Sequence, residues 1–145
     1  MRSEAPGLDH IRNLVTDRGK VAPIAQLLGA RVLSVEAGRV LVEFAVKPEF
    51  MHPGRVVQGG IVTAYADVCM ALAAHTLFDH GEFLSTSSIT VNFLAPLLEG
   101  PVLGEGSVTR KGRSTVFLEA ALRDRSGTEY ARSSSVGAIR RPAQK

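Results

Sequence analysis

Two features within residues 57–78, VQGGIVTAYADVCMALAAHTLF, could do chemistry. One is a carboxylate, Asp67, in the middle of a run that is otherwise apolar on nearly every side. The other is a glycine pair, Gly59 and Gly60, at the start of that run. A charge set among apolar side chains must be paired, neutralised or put to use, because leaving it unpaired is among the costliest arrangements a fold can hold. Glycines at a helix start let a ligand approach the backbone where the first N–H groups lack an intrahelical acceptor and the macrodipole is positive. The pair of features offers an acid able to act as nucleophile or base and donors able to hold a developing oxyanion. Two glycines before a helix also serve as a plain turn, so they gain meaning only beside the acid.

The spacing sets a geometric condition. Asp67 follows Gly60 by seven residues, which places it roughly 10 Å along a helix axis. One small reacting group cannot easily touch both ends within a single chain. If they belong to one site, the acid comes from one subunit and the helix start from another, with two such helices antiparallel across a two-fold axis. The spacing therefore points to an oligomer.

The elements that must position these residues follow from the hydrophobic periods. Residues 57–78 read as a long buried helix with no broad polar stripe. Before it, Leu8, Ile11, Leu14 and Val15 recur at helical spacing over residues 8–20, and Pro23 and Gly29 bracket a second helical piece, PIAQLL. Over residues 30–47 the period changes to two. Val40, Val42, Phe44 and Val46 oppose Leu41, Glu43, Ala45 and Lys47, and Ala37-Gly38 breaks the run, which predicts a β-hairpin. PEFMHPGRVVQGG is an irregular loop leading to the helix. Past the helix, residues 83–94, 102–110, 115–123 and 129–139 predict four strands, and the tail RRPAQK is expected to be loose. These elements make an α+β domain in which a curved sheet must enclose the helix. A single domain over residues 1–145 is expected, with a helical segment at 8–28 and a core over about 30–139.

Composition narrows the function classes. The formal charge of +3 is modest, and no basic helix, aromatic ladder or zinc-ligand spacing accompanies it, which disfavours nucleic-acid binding. Arginine far outnumbers lysine, which suits pairing with a phosphate-bearing ligand. Cys69, the only cysteine, sits inside the helix run and reads as structural. His75 and His80 fall at the helix end, where the dipole favours cations, and make no metal-ligand spacing with Cys69, so no metal is expected. With no apolar leader, and the most apolar stretch interrupted by Asp67 and His75, neither a signal peptide nor a membrane span is expected, and a cytoplasmic location follows.

The segments GRVVQGGIVTAYADVCMALAA, LLGARVLSV, ITVNFLAPL and VTRKGRSTVFLEAALRDRSGTEYA resemble the hotdog-fold acyl-CoA thioesterases. The likeness is to the branch containing phenylacetate-pathway and 4-hydroxybenzoyl-CoA thioesterases and extends over about residues 24–138. The resemblance implies a hotdog fold, a long central helix wrapped by a curved antiparallel sheet, and hydrolysis of an acyl-CoA to free acid and coenzyme A. Coenzyme A is then part of the substrate, and no cofactor is expected. By the same resemblance Asp67 is the nucleophile or the general base on water, Gly59 lends its N–H to the thioester oxygen with Gly60 beside it, and the site spans a homodimer, itself paired into a homotetramer. Such chemistry is reasonable without a Ser-His-Asp triad, because thiolate leaves readily, and no GxSxG elbow occurs.

The resemblance extends to other positions. Many members carry Asn where this chain has His52 and His where it has Gln58; Gln58 can still bond the thioester oxygen, and His52 can position water or substrate. Thr86 matches a site-lining hydroxyl, although a polar residue on the outer strand face is an equal expectation. Arg110, Lys111, Gly112 and Arg113 resemble the basic turn that meets the phosphates or pantetheine of coenzyme A, and also suit any charged hairpin tip. Tyr65, Met70, Phe83 and Phe93 are expected to set pocket depth. Two rivals stand beside this reading. A non-catalytic acyl-CoA or acyl-chain binding module has no use for a buried acid. A hotdog dehydratase brings Asp and His together near the helix start, where Gln58 and Gly59 stand here.

Overall fold

The computed structural model describes residues 4–17 and 20–143. Helix α1 (Pro6–Thr16) begins on a proline, whose missing N–H is no loss in a first turn, and buries Leu8, Ile11 and Leu14 against β1 and the central helix. A short helix α2 (Pro23–Leu27) starts the same way. Strands β1 (Ala30–Glu36) and β2 (Arg39–Ala45) form the expected hairpin, with Gly38 in the left-handed region at φ 78°. The loop that follows is not wholly irregular, since Pro48–Phe50 makes a 3-10 turn and Met51 pairs with Val57 in an isolated bridge. The central helix α3 (Gly59–His75) is followed by β3 (Phe83–Phe93), β4 (Pro101–Lys111), β5 (Thr115–Arg123) and β6 (Glu129–Arg140).

The six strands form one antiparallel sheet in the order β1-β2-β4-β5-β6-β3. Alternation decides its faces: Val40, Val42 and Phe44 of β2, with Val116, Leu118 and Leu122 of β5, are buried beneath α3. The helix packs chiefly over β4, which presents Gly104 and Gly106 to it. A Cβ on Gly106 would lie 2.2 Å from the Cys69 carbonyl oxygen, so the helix backbone rests directly on the strand. Cys69 is enclosed by this contact, and burial pushes its thiol far above the ordinary range, in keeping with a structural cysteine. The helix end is pinned to the β1–β2 turn by the buried Thr76 hydroxyl, which donates to the Ala73 carbonyl at 2.6 Å and accepts from the Gly38 N–H at 2.7 Å.

Several expectations need correction. The helix is shorter than residues 57–78 and is not enclosed on all sides, because the sheet covers one face and α1 with α2 cover part of another. Gly60 is exposed, and Ile61, Ala64, Asp67, Val68 and Ala71 are half-buried, so Asp67 reaches an open face and not an apolar interior. Tyr65 and Met70 do not set a pocket; both are fully buried between helix and sheet, with the Tyr65 ring 4.6 Å from that of Phe44. Burial pushes the pKa of the Tyr65 hydroxyl up to about 12, and among the described residues it has no hydrogen-bond partner. The tail is anchored at its start, where Arg141 pairs with Glu82 at 2.9 Å and donates to the Arg113 carbonyl at 2.9 Å; residues 144–145 lie outside the described residues.

His75 is not the dipole-stabilised cation expected. Burial lowers its pKa from 6.5, the bond from its Nδ1–H to the Ala71 carbonyl at 2.6 Å opposes that, and repulsion from His10 adds to it. Above the unfolded value both states are neutral and the residue has no effect on stability. As pH falls through 6.5, the unfolded chain takes up a proton that the folded ring refuses, so stability declines toward the folded value. Replacing His75 by Gln should flatten part of the loss between about pH 7 and 5, read from denaturant midpoints. Gly106→Ala should destabilise the fold by about 1–3 kcal/mol or more, because its methyl meets backbone and not a yielding side chain. Urea unfolding of the two proteins measures it.

Candidate active site

The start of α3 is assembled by backbone bonds. Val57 N–H donates to the Leu97 carbonyl at 2.9 Å and Gln58 N–H to the Phe50 carbonyl at 2.9 Å, which fixes where the helix begins. The Gln58 carbonyl accepts from Ile61 at 2.9 Å and Val62 at 3.2 Å, while its exposed side chain caps nothing. Among the described residues no acceptor reaches the N–H of Gly59 or of Gly60. The two glycines differ in their surroundings. A Cβ on Gly59 would stand 3.3 Å from the Phe93 ring, whereas one on Gly60 would meet nothing within 4 Å. Packing within the chain therefore gives no reason for a glycine at 60, and the space beside it is open to another molecule.

The preceding loop sets His52. Its N–H donates to the Val56 carbonyl at 2.9 Å, its carbonyl accepts from Arg55 at 2.9 Å, and Arg55 takes a left-handed φ of 62° to close the turn. The ring Nδ1 accepts from the Gly54 N–H at 2.9 Å, and an accepting Nδ1 leaves Nε2–H as the ring's donor. His52 and Gly59 share a cleft of about 350 Å³ with Val62, Phe93, Leu97 and Tyr130. Tyr130 and the turn after β3 were not marked out by the sequence. They arrive because β6 pairs with β3, Phe93 opposite Ala131, and because the Leu94 N–H donates to the Tyr130 carbonyl at 2.8 Å. That pairing joins strands far apart in the chain, and no local signal announces it.

At the other end of the open face, the Thr86 hydroxyl donates to Asp67 Oδ1 at 3.0 Å. Thr86 thus faces the helix and not the outer side of β3, beside a bulge where the register shifts between Thr86 and Ser88. No protein donor among the described residues reaches Asp67 Oδ2. Cross-strand register carries this level along the sheet, from Thr86 to Gly137 and on to Val116, next to the β4–β5 tip. At the tip Arg110, Lys111, Gly112 and Arg113 are all exposed, and the turn closes through the Gly112 N–H on the Thr115 carbonyl at 2.8 Å. The basic tip therefore stands at the Asp67 end of the sheet, without contact to Asp67, Thr86 or the helix start.

The chain brings together His52 with Gly59, and Asp67 with Thr86, but not the two pairs with each other. Gly60 and Asp67 are seven residues apart on one helical face, roughly 10 Å along the axis. That face is the half-open stripe of Ile61, Ala64, Val68 and Ala71. β3 lies at a sheet edge with no strand beyond it among the described residues, and Phe83 and Phe93 at its two ends are half-exposed. No group of three His, Cys, Asp or Glu side chains among the described residues is placed to hold a metal ion, and none of the described helices is long and apolar enough to cross a membrane.

The sequence profile of the thioesterase superfamily matches residues 54–131, which include the glycine pair, Asp67, Thr86 and the basic tip. A Saccharolobus solfataricus protein provisionally named an esterase is 36% identical over 108 residues, 74% of this chain and 76% of that protein. A thioesterase from Haemophilus influenzae has the same fold, with a TM-score of 0.80 at 19% identity, covering 92% of each chain. So does the E. coli PaaI protein from the phenylacetic acid degradation operon, with a TM-score of 0.79 at 19% identity, covering 95% of this chain and 98% of that one. With that profile match and that relative, the chain belongs to the thioesterase superfamily and is a hydrolase of that family.

Proposed function

We propose that the chain hydrolyses an acyl-CoA thioester in sites formed between two copies of itself. The observation that carries this reading is the division of one open helix face into an acid end and a donor end that the same chain does not join. Among the described residues, Thr86 holds Asp67 by one carboxylate oxygen and leaves the other free, while the N–H groups of Gly59 and Gly60 go unused. Two such helices laid antiparallel across a two-fold axis set the Asp67 of one beside the glycines of the other. The unpaired edge of β3 and the exposed Phe93 support a contact of that kind.

In this arrangement the thioester oxygen accepts from the Gly59 N–H, with the helix dipole favouring the charge that develops there. Gln58, exposed at the N-cap, and His52, through Nε2–H, add donors at the same end. Asp67 of the facing copy either attacks the acyl carbon or removes a proton from the water that does. The C–S bond then breaks and coenzyme A leaves as thiolate, which takes up a proton; where Asp67 has attacked, water cleaves the acyl–Asp67 anhydride and frees the carboxylate, and by either route the hydroxyl from water stays on the acid. Thr86 acts on Asp67, aiming its free oxygen. The basic tip of Arg110, Lys111, Gly112 and Arg113 receives the phosphates of coenzyme A, which charge and exposure allow. A pairing of dimers into a homotetramer is part of the same proposal.

Thiol release from a panel of acyl-CoAs tests the reading. Asp67→Asn should lower kcat by at least about a hundredfold with fold and assembly size unchanged. Thr86→Val should lower it by about tenfold, the effect of losing one hydrogen bond to a charged group. A wild type that binds acyl-CoA and releases no thiol would reduce the protein to a binding module.

A further inference from the structure

The structure has a second cleft, which none of the preceding chemistry uses. It lies between the N-terminal helices and the later half of α3, encloses about 270 Å³, and is walled by Leu14, Val21, Ile24, Ala25, Val68 and Leu72. Val68 follows Asp67 directly, and Ala71, which also lines the cleft, stands one turn beyond Asp67 on the same helix face. The cleft thus begins one turn along α3 from Asp67, on the flank toward α1 and β1, while the carboxylate itself is bonded toward β3.

We infer that this cleft holds the hydrocarbon tail of the acyl group, so that α1 and α2 measure acyl length. The inference rests on the thioesterase reading and deepens it. Three observations favour an uncharged tail as the occupant. The walls are mostly apolar, and the ionisable groups among the described lining residues are His10, His75, whose pKa burial lowers, and Lys20, which pairs with Asp17 at 3.5 Å. Ile24 is 51% exposed although it lines the cleft, an apolar surface that folding alone leaves uncovered. The volume falls below the roughly 300–1,000 Å³ of pockets that enclose whole drug-sized ligands, which leaves room for a tail and not for coenzyme A.

The cleft at Gly59 is less suited to that occupant. It presents the His52 ring among its apolar residues, and the Nε2–H of that ring is a donor that a hydrocarbon cannot use. An amide-bearing pantetheine arm can use it. The two clefts then divide the substrate on either side of its carbonyl, one supplied by each copy.

Ala22 is exposed, lines the tail cleft, and makes no side-chain cap at the start of α2, so Ala22→Phe fills the mouth without removing core packing. Wild type and variant are compared for kcat/KM on octanoyl-CoA and acetyl-CoA, for calorimetric binding of octanoyl-CoA and free coenzyme A, and for sedimentation. The wild type should prefer octanoyl-CoA, and Ala22→Phe should lower the octanoyl-to-acetyl ratio by at least about tenfold. No preference in the wild type, an unchanged ratio in the variant, or a variant that changes assembly size would overturn the inference, the last by showing that a second copy covers the cleft. If neither ester is hydrolysed, the acyl-CoA panel decides the thioesterase reading, and calorimetry decides the cleft by itself. Tighter wild-type binding of octanoyl-CoA than of coenzyme A, with that margin lost in Ala22→Phe, upholds the tail site, and an equal margin in both proteins ends it.

Discussion

The direct seating of α3 on β4 is the contact from which the rest of the structure follows. Gly104 and Gly106 leave no side chain between helix and strand, and Cys69 fills the space so tightly that its Sγ and carbonyl oxygen stand 2.4 and 2.2 Å from where their Cβ atoms would be. That contact fixes the rotation of the helix. With Tyr65, Cys69 and Met70 turned inward, the helical period turns Gly60, Ala64, Asp67 and Ala71 outward onto one face. Asp67 and the glycine pair thus share a face because two glycines on a distant strand let the helix sit close.

The open face accounts for what the chain leaves unfinished. A carboxylate bonded through one oxygen, two N–H groups without acceptors and an edge strand with exposed aromatic residues at both ends are each unusual alone. Together they describe a surface that a second copy and a substrate would complete. The basic tip belongs to the same pattern, since strand register places it at the level of Thr86.

Much of this was legible in the sequence, and the limits have physical causes. Periods of two and 3.6 located the three α-helices and six strands of the described residues within a few residues, though not the 3-10 turn at Pro48–Phe50, because burial of one face imposes them wherever a layer meets the core. Asp67 and the glycine pair stood out for the same reason, as breaks in an apolar run. Their surroundings were less legible. A helix apolar on nearly every side reads as buried, yet the uncovered stripe here is also apolar, and sequence does not distinguish cover by the same chain from cover by another. Tyr65 and Met70 look like pocket residues by type, and only the rotation set by β4 assigns them to the core. The placing of Tyr130 and the cleft under α1 and α2 depend on strand order and on the docking of α1, both products of contacts between distant parts of the chain.

Complementation between two damaged chains tests the shared site most directly. Asp67→Asn removes the acid, and Gly60→Val fills the open space at the helix start without meeting another group of its own chain. Each variant alone should be nearly inactive. Mixed and reassembled at equal amounts, they should recover about a quarter of wild-type activity, because random pairing makes half the dimers mixed and each mixed dimer keeps one intact site. No recovery from a mixture shown to contain mixed dimers would place acid and donors in the same chain and contradict the account.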